Sequence, residues 1–394
     1  MRQEWDVVVV GGGPAGSTTA LLAAAAGARV ALLERATFPR DKVCGEFVSA
    51  EGCRVLERLG LLGELTSQGA QRIEGCRLSD LGGRRVDSRL PLVERAGREA
   101  LGVSRALLDA TLLDRARRRG ATVLERHEAT GPVSVDGRVV GVRARPVGRP
   151  EATTELRAAL VVAADGRRSV LGRHLHPTLG DPRRSRPRSW FGLKTHLRAD
   201  PRELAGRVEL HLFDGGYAGL GPVEDGRMNL CLVVRVGVLR AAGGSPPRLV
   251  RERVLANPAL REIVGDAPIG GPWHSVGPLR WGVRRPTAAG VLFVGDAAGT
   301  IDPFCGEGIA NALRGAEIAL PWALRAIERG RLTTDLARGY RRAWLRAFGP
   351  VTRRVRPIGY VLERPALARP MFGLLGGLGA GLLPRIVAAT RTGA

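Results

Sequence analysis

The apolar pattern is densest at the start of the chain. Trp5 to Val10 has one polar residue, Asp6, and ends on four consecutive valines, which reads as a strand buried on both faces. It runs straight into Gly11-Gly12-Gly13-Pro14-Ala15-Gly16. The alanine-rich stretch Ser17 to Ala26 predicts a helix, and Arg29 to Leu33 a second buried strand closed by Glu34. Strand, glycine turn, helix, strand and terminal acid form one βαβ unit in register.

Further along, a helical pattern passes through Val48, Val55, Leu56 and Leu59 after the turn Phe38-Pro39-Arg40-Asp41. Residues 70–100 read as irregular strands. Leu107 to Arg119 places Leu108, Leu112, Leu113 and Ala116 on one face and leads into a strand at Thr122 to Leu124. Arg138 to Arg143 and Glu155 to Ala163 read as a meander ending on Ala164-Asp165-Gly166. Residues 174–189, rich in arginine and proline, predict a crossing loop. From Ser189 to Val236 the period changes to antiparallel strands. Gly290 to Asp296 returns to a buried strand, and a helix opens near Gly308. The expectation is an α/β composite: a Rossmann-like nucleotide domain (1–75, 100–173 and 276–330), an antiparallel-sheet substrate domain (76–99 and 174–275) and a helical C-terminal region (331–394).

Composition narrows the classes. The 394 residues, 44% hydrophobic, suffice for a large core. Five scattered cysteines and six unclustered histidines offer no metal-type spacing, so no metal site is expected. No signal peptide precedes the first strand, and the expected location is cytoplasmic. The net charge of +23 comes almost wholly from arginine; Lys42 and Lys194 are the only lysines. With aromatics at 4%, the arginines lack the interleaved rings of a nucleic-acid surface. Anionic lipid, an acidic carrier or a phosphate-bearing substrate fits the charge better.

The glycine turn has a defined chemistry. Gly11 permits the tight turn, Gly13 lets backbone N–H groups approach a pyrophosphate, and Gly16 lets helix and strand pack closely. The helix end that opens at Pro14 and Ala15 faces the phosphates with partial positive charge. Glu34 is placed for a ribose diol.

Three separated pieces then match one group of proteins. They are the glycine turn with Glu34-Arg35, Ala164-Asp165-Gly166, and Gly295-Asp296-Ala297-Ala298-Gly299 with Asp302-Pro303-Phe304 and Gly306-x-Gly308-Ile309-x-Asn311. Together they resemble the FAD signature of p-hydroxybenzoate hydroxylase-like flavoproteins, which include group A monooxygenases, geranylgeranyl reductases and flavin-dependent halogenases. Phe38 to Glu46 most resembles the geranylgeranyl reductase branch. The resemblance implies that Asp165, Gly166 and Asp296 contact FAD and that Arg105 reaches its phosphate. It also implies that Pro303 walls the flavin ring and that the helix start at Gly306 to Asn311 faces the ring's N1 edge. It sets Cys44 and Gly45 near the flavin. Cys44-Gly45-Glu46 recurs as Cys305-Gly306-Glu307, which leaves a redox pair or covalent flavin link as alternatives to plain buried thiols.

Departures matter as well. The branch carries an aromatic motif, Tyr-x-Trp-x-Phe-Pro, along its prenyl cavity. Here the stretch is Tyr217-Ala218-Gly219-Leu220-Gly221-Pro222, with both large rings replaced by glycine. The halogenase tryptophan motif and lysine are not apparent. With no second glycine-rich βαβ unit, NAD(P)H would dock transiently, or electrons would come from a donor protein. The leading expectation is NAD(P)H-dependent monooxygenation of a lipophilic or aromatic substrate, with Cys44, Glu46 and Tyr217 as candidate catalytic residues. The alternatives are C=C reduction of a prenyl or polyketide chain and electron transfer to a quinone pool. The apolar, glycine-broken stretch Met371 to Pro384 is expected to pack on the body or to touch a membrane peripherally.

Overall fold

The computed structural model describes residues 4–90, 100–176, 189–198, 200–265, 267–279, 281–362, 364, 367–368, 370–373 and 382–391. Most of the expected crossing loop (177–188) and the glycine-rich centre of the tail (374–381) lie outside them.

The first sheet is built on the valine runs. Strands Val291–Phe293, Thr154–Ala163, Trp5–Val10, Val30–Glu34 and Thr122–Glu125 lie side by side in that order, all parallel. Val7, Val8, Val9, Leu32, Val161 and Val162 are fully buried, as expected of a parallel sheet covered on both faces. The helices Pro14–Ala25, Arg105–Arg118 and Gly308–Glu328 form one layer on the sheet, the first packed between the other two, and Ala129, Val139, Val142 and Ala144 of two further strands join the same core. His127–Val135 and Arg138–Pro146 extend the outer half of Thr154–Ala163 as an antiparallel meander. The expected meander is therefore present, with one strand more.

The second sheet has seven strands in the order His274–Leu279, Trp190–Arg198, Arg227–Arg235, Gly216–Val223, Arg207–Phe213, Gly75–Ser79, Arg85–Arg89. All neighbours are antiparallel except Gly75–Ser79, which runs parallel to Arg207–Phe213. Strand alternation gives the sheet two faces. One presents Leu193, Ala218, Leu220, Leu230 and Leu232 to the short helices Pro246–Glu252 and Pro258–Val264. On that side Asn257 caps a helix through Leu260 N and donates to Ser79 Oγ, Asp80 O and Leu212 O, tying helix to sheet. The other face presents Cys76, Leu78, Val208, Leu210, Leu212 and Tyr217, and packs against the tail through Phe372, Leu383 and Val387.

The tail begins with the long helix Thr334–Leu362, anchored where Tyr340 Oη donates to Phe293 O at 2.7 Å. Among the described residues, Leu382–Ala389 is also helical, and no helix is long and apolar enough to cross a membrane.

Candidate active site

Two helix N-termini open on one cleft. Gly13 is the N-cap residue of Pro14–Ala25 and Glu307 that of Gly308–Glu328, and neither helix end is capped by a side chain. Their first N–H groups are left for a ligand. The cleft, about 180 Å³, is lined on one side by Gly13, Pro14 and Ala15 and on the other by Pro303, Gly306, Gly308 and Ile309. Cys44, Gly45, Arg105, Gly166 and Asp296 complete it. Residues separated by up to about three hundred positions thus line one cleft.

The glycines are sterically required. A Cβ at Gly16 would lie 1.8 Å from Gly11 O, and one at Gly11 would meet Ala164 O at 2.6 Å. A Cβ at Gly13 would meet only the guanidinium ends of Arg105 and Arg40, at 3.8 Å. Gly13 therefore leaves room for a phosphate between backbone and arginines. Burial works against the charge on Arg105; Asp109, bound to it in bidentate fashion at 2.6 and 2.8 Å, outweighs burial and keeps it ionised. Arg40 shares Asp109 at 3.1 Å. Lys42 reaches into the cleft, where the surrounding protein, then Arg105 and Arg40, push its ammonium down to about 8.

Glu34, Arg35, Asp165, Gly295 and Asn311 surround the cleft rather than line it, whereas Glu46 is part of its lining. Glu34 accepts Gly12 N and Ala36 N, both at 2.8 Å, so its carboxylate is fixed beside the turn. Arg35 is exposed. Asp165 is held by Val170 N at 2.7 Å, and burial raises its pKa. Gly295, at positive φ, brings its backbone against Ala15, and Asn311 stands one turn into the helix.

Glu46 is placed unexpectedly. It sits at φ 54° with its side chain fully buried. Oε1 accepts Lys194 Nζ at 2.6 Å and Arg105 N at 2.7 Å, and Oε2 lies 2.7 Å from His196 Nε2. Lys194 also donates to Asp41 Oδ1 at 2.7 Å. Asp41, Glu46 and His196 converge like metal ligands, and the cation among them is the Lys194 ammonium. Asn229 Nδ2 donates to Cys44 O at 3.1 Å. The second sheet thus clamps the loop from Asp41 to Glu46 against the cleft. Only the rarity of lysine marked Lys194 in the sequence.

Beyond the loop lies a second, apolar cavity of about 190 Å³. It shares Gly45, Phe47, Pro303 and Gly306 with the first. Tyr217 and Gly219 line it from the sheet, Leu362, Met371 and Leu383 from the tail, and Cys76, Cys231 and Cys305 add thiols. Burial pushes Cys76 up to about 11, Cys231 up to about 12 and Cys305 well above the usual thiol value, so all three stay protonated. Cys44 faces the cofactor cleft and Cys305 the apolar cavity, both as free cysteines.

A family model described as an FAD binding domain matches residues 4–353. A digeranylgeranylglycerophospholipid reductase of Methanopyrus kandleri is 32% identical over 350 residues, 88% of this chain and 87% of that protein. Among solved structures, a myxobacterial chondrochloren halogenase superposes with TM-score 0.77 at 23% identity, covering 89% of this chain and 82% of that one. A geranylgeranyl bacteriochlorophyll reductase-like protein of Thermoplasma acidophilum gives 0.75 at 24% identity, covering 98% and 91%.

Proposed function

The chain belongs to the FAD-binding-domain family, in its geranylgeranyl reductase branch, and as an FAD-dependent oxidoreductase of that lineage we propose that it saturates C=C bonds of a lipophilic, isoprenoid-like chain. The observation that carries this is the apolar cavity sharing a wall with the cofactor cleft. FAD, when bound, supplies hydride chemistry, with NAD(P)H as the transient donor. The protein's part follows from its residues. The N–H groups beyond Gly13, with Arg105 and Arg40, hold the pyrophosphate. The uncapped start of Gly308–Glu328 would supply positive partial charge toward a bound flavin, which is anionic when reduced.

Saturating a double bond also takes a proton. Groups that could donate it line the cavity: Tyr217 from the sheet and the thiols of Cys76, Cys231 and Cys305. Cys44, on the shared loop, lines the cofactor cleft and not the apolar cavity, which makes it a candidate from the cofactor side; Glu46 positions that loop because both its oxygens are engaged. Apolar walls exclude water, which keeps hydride from being lost to solvent.

A second reading, monooxygenation of a bulkier ring system, is favoured by Gly219, which lines the cavity where the branch carries tryptophan. One experiment separates the two. The purified enzyme is reduced anaerobically with NADPH and mixed with a geranylgeranyl lipid. Saturated product without oxygen supports the first reading. Product formed only after air is admitted, carrying oxygen from ¹⁸O₂, supports the second and overturns the first.

A further inference from the structure

The outer face of Thr334–Leu362 carries seven arginines, at positions 338, 341, 342, 346, 353, 354 and 356, and the helix has no acidic residue after Asp335. All seven are exposed, and none forms an ion pair with another described residue. At about 100° per residue, all but Arg354 fall within an arc of about 140°. Tyr340, Trp344, Phe348, Val351 and Val355 occupy the buried side. The stripe is local: it is not diluted by the acids that accompany arginine elsewhere in the chain.

The same helix ends at the apolar cavity, which Ile358 and Leu362 line. Beside them Tyr360 is 55% exposed, with the Arg364 guanidinium 3.5 Å from its ring centroid, and Leu367 is 41% exposed. A basic stripe thus runs into exposed Tyr360 and Leu367, next in the chain to Ile358 and Leu362, which line the cavity from the other side of the helix. Arginines attract anionic headgroups, while a half-exposed tyrosine and leucine gain by entering the headgroup–acyl boundary. A nucleic acid would use the arginines but gain nothing from Leu367.

We propose that this face docks the protein on an anionic lipid bilayer, from which the apolar cavity is filled. The docking is independent of which reaction the flavin supports; only the filling of the cavity rests on the lipophilic-substrate reading.

The test is flotation of the holoenzyme with phosphatidylglycerol or phosphatidylcholine vesicles. Binding to phosphatidylglycerol, weakened by salt, is expected, with little binding to phosphatidylcholine. Arg341→Glu/Arg342→Glu/Arg346→Glu should lower that binding by at least about tenfold while the flavin spectrum and melting temperature are kept. Arg240→Glu/Arg251→Glu/Arg253→Glu, exposed arginines elsewhere, makes the same change in net charge and should bind like the parent. Equal loss in both triple variants, equal binding to both vesicles, or capture by duplex RNA in preference to vesicles would overturn the proposal. Catalytic failure with a prenyl lipid would leave the flotation result readable by itself.

Discussion

Lys194 Nζ lies 2.6 Å from Glu46 Oε1, both side chains fully buried, and this pair fastens the second sheet to the loop beneath the cofactor cleft. The strand bearing Lys194 also aims His196 at the other oxygen of Glu46, two residues on and on the same face. Of two lysines in the chain, one holds this position. A compact ammonium fits between Asp41 and Glu46, where a planar guanidinium would need a wider fork.

Removing that ammonium should be costly. Lys194→Met leaves two carboxylates sharing fewer partners in a buried place, and a loss of about 3–5 kcal/mol is expected. Denaturant unfolding would measure it, and flavin release on heating should come earlier. Glu46→Gln should release flavin early as well, while Arg58→Ala, breaking an exposed pair with Glu317, should cost less than about 1 kcal/mol.

The clamp sets a pH window. Burial would lower the Lys194 pKa, but Glu46 and Asp41 outweigh it and raise the pKa above 10.5, so its contribution is complete below 10.5 and fades as pH rises through the raised value. Burial would raise the Asp41 pKa, but Lys194 outweighs it and lowers the pKa below 3.8, so its contribution is complete above 3.8 and fades as pH falls through the lowered value. The melting-temperature difference between the parent and Lys194→Met should stay level between those limits and shrink outside them.

Thiol labelling should follow burial. Cys44 is half-buried on the cofactor cleft, whereas Cys76 and Cys305 are buried and Cys231 is held protonated up to about pH 12. Iodoacetamide at neutral pH should therefore modify Cys44 first in FAD-free protein, and added FAD should protect it. Mass spectrometry of peptides reads both outcomes. Labelling of Cys305 before Cys44 in folded protein would contradict the arrangement.

The glycine turn separates folding from binding. Gly16→Ala places a methyl 1.8 Å from Gly11 O and should prevent a stable fold. Gly13→Ala meets only flexible guanidinium ends at 3.8 Å, so it should fold with near-parental circular dichroism yet bind FAD at least about tenfold more weakly, a loss of roughly one charge-assisted hydrogen bond.

Gly219 tunes the cavity. A Cβ there would make ordinary contact with Cys231 O at 3.7 Å and leave the rest of a side chain to enter the cavity. Gly219→Trp should keep the fold and raise KM for bulky substrates more than for slender chains. Unchanged KM for both would place the substrate elsewhere.

The short-range features were legible in the chain itself. The valine run, glycine turn and Glu34 predicted the first βαβ unit because its geometry is local: a turn that tolerates no Cβ allows few other residues. Strand periods likewise announced the second sheet. The clamp was not legible, because Lys194 and Glu46 are 148 residues apart and meet only through the pairing of Lys194 with Cys231 and His196 with Asn229. A shift of one residue in that register would turn both side chains to the opposite face. The same holds for the apolar cavity, whose walls come from the sheet, both cysteine loops and the tail. Sequence spacing specifies what a segment forms by itself, whereas a site assembled from distant segments depends on packing that only the folded chain decides.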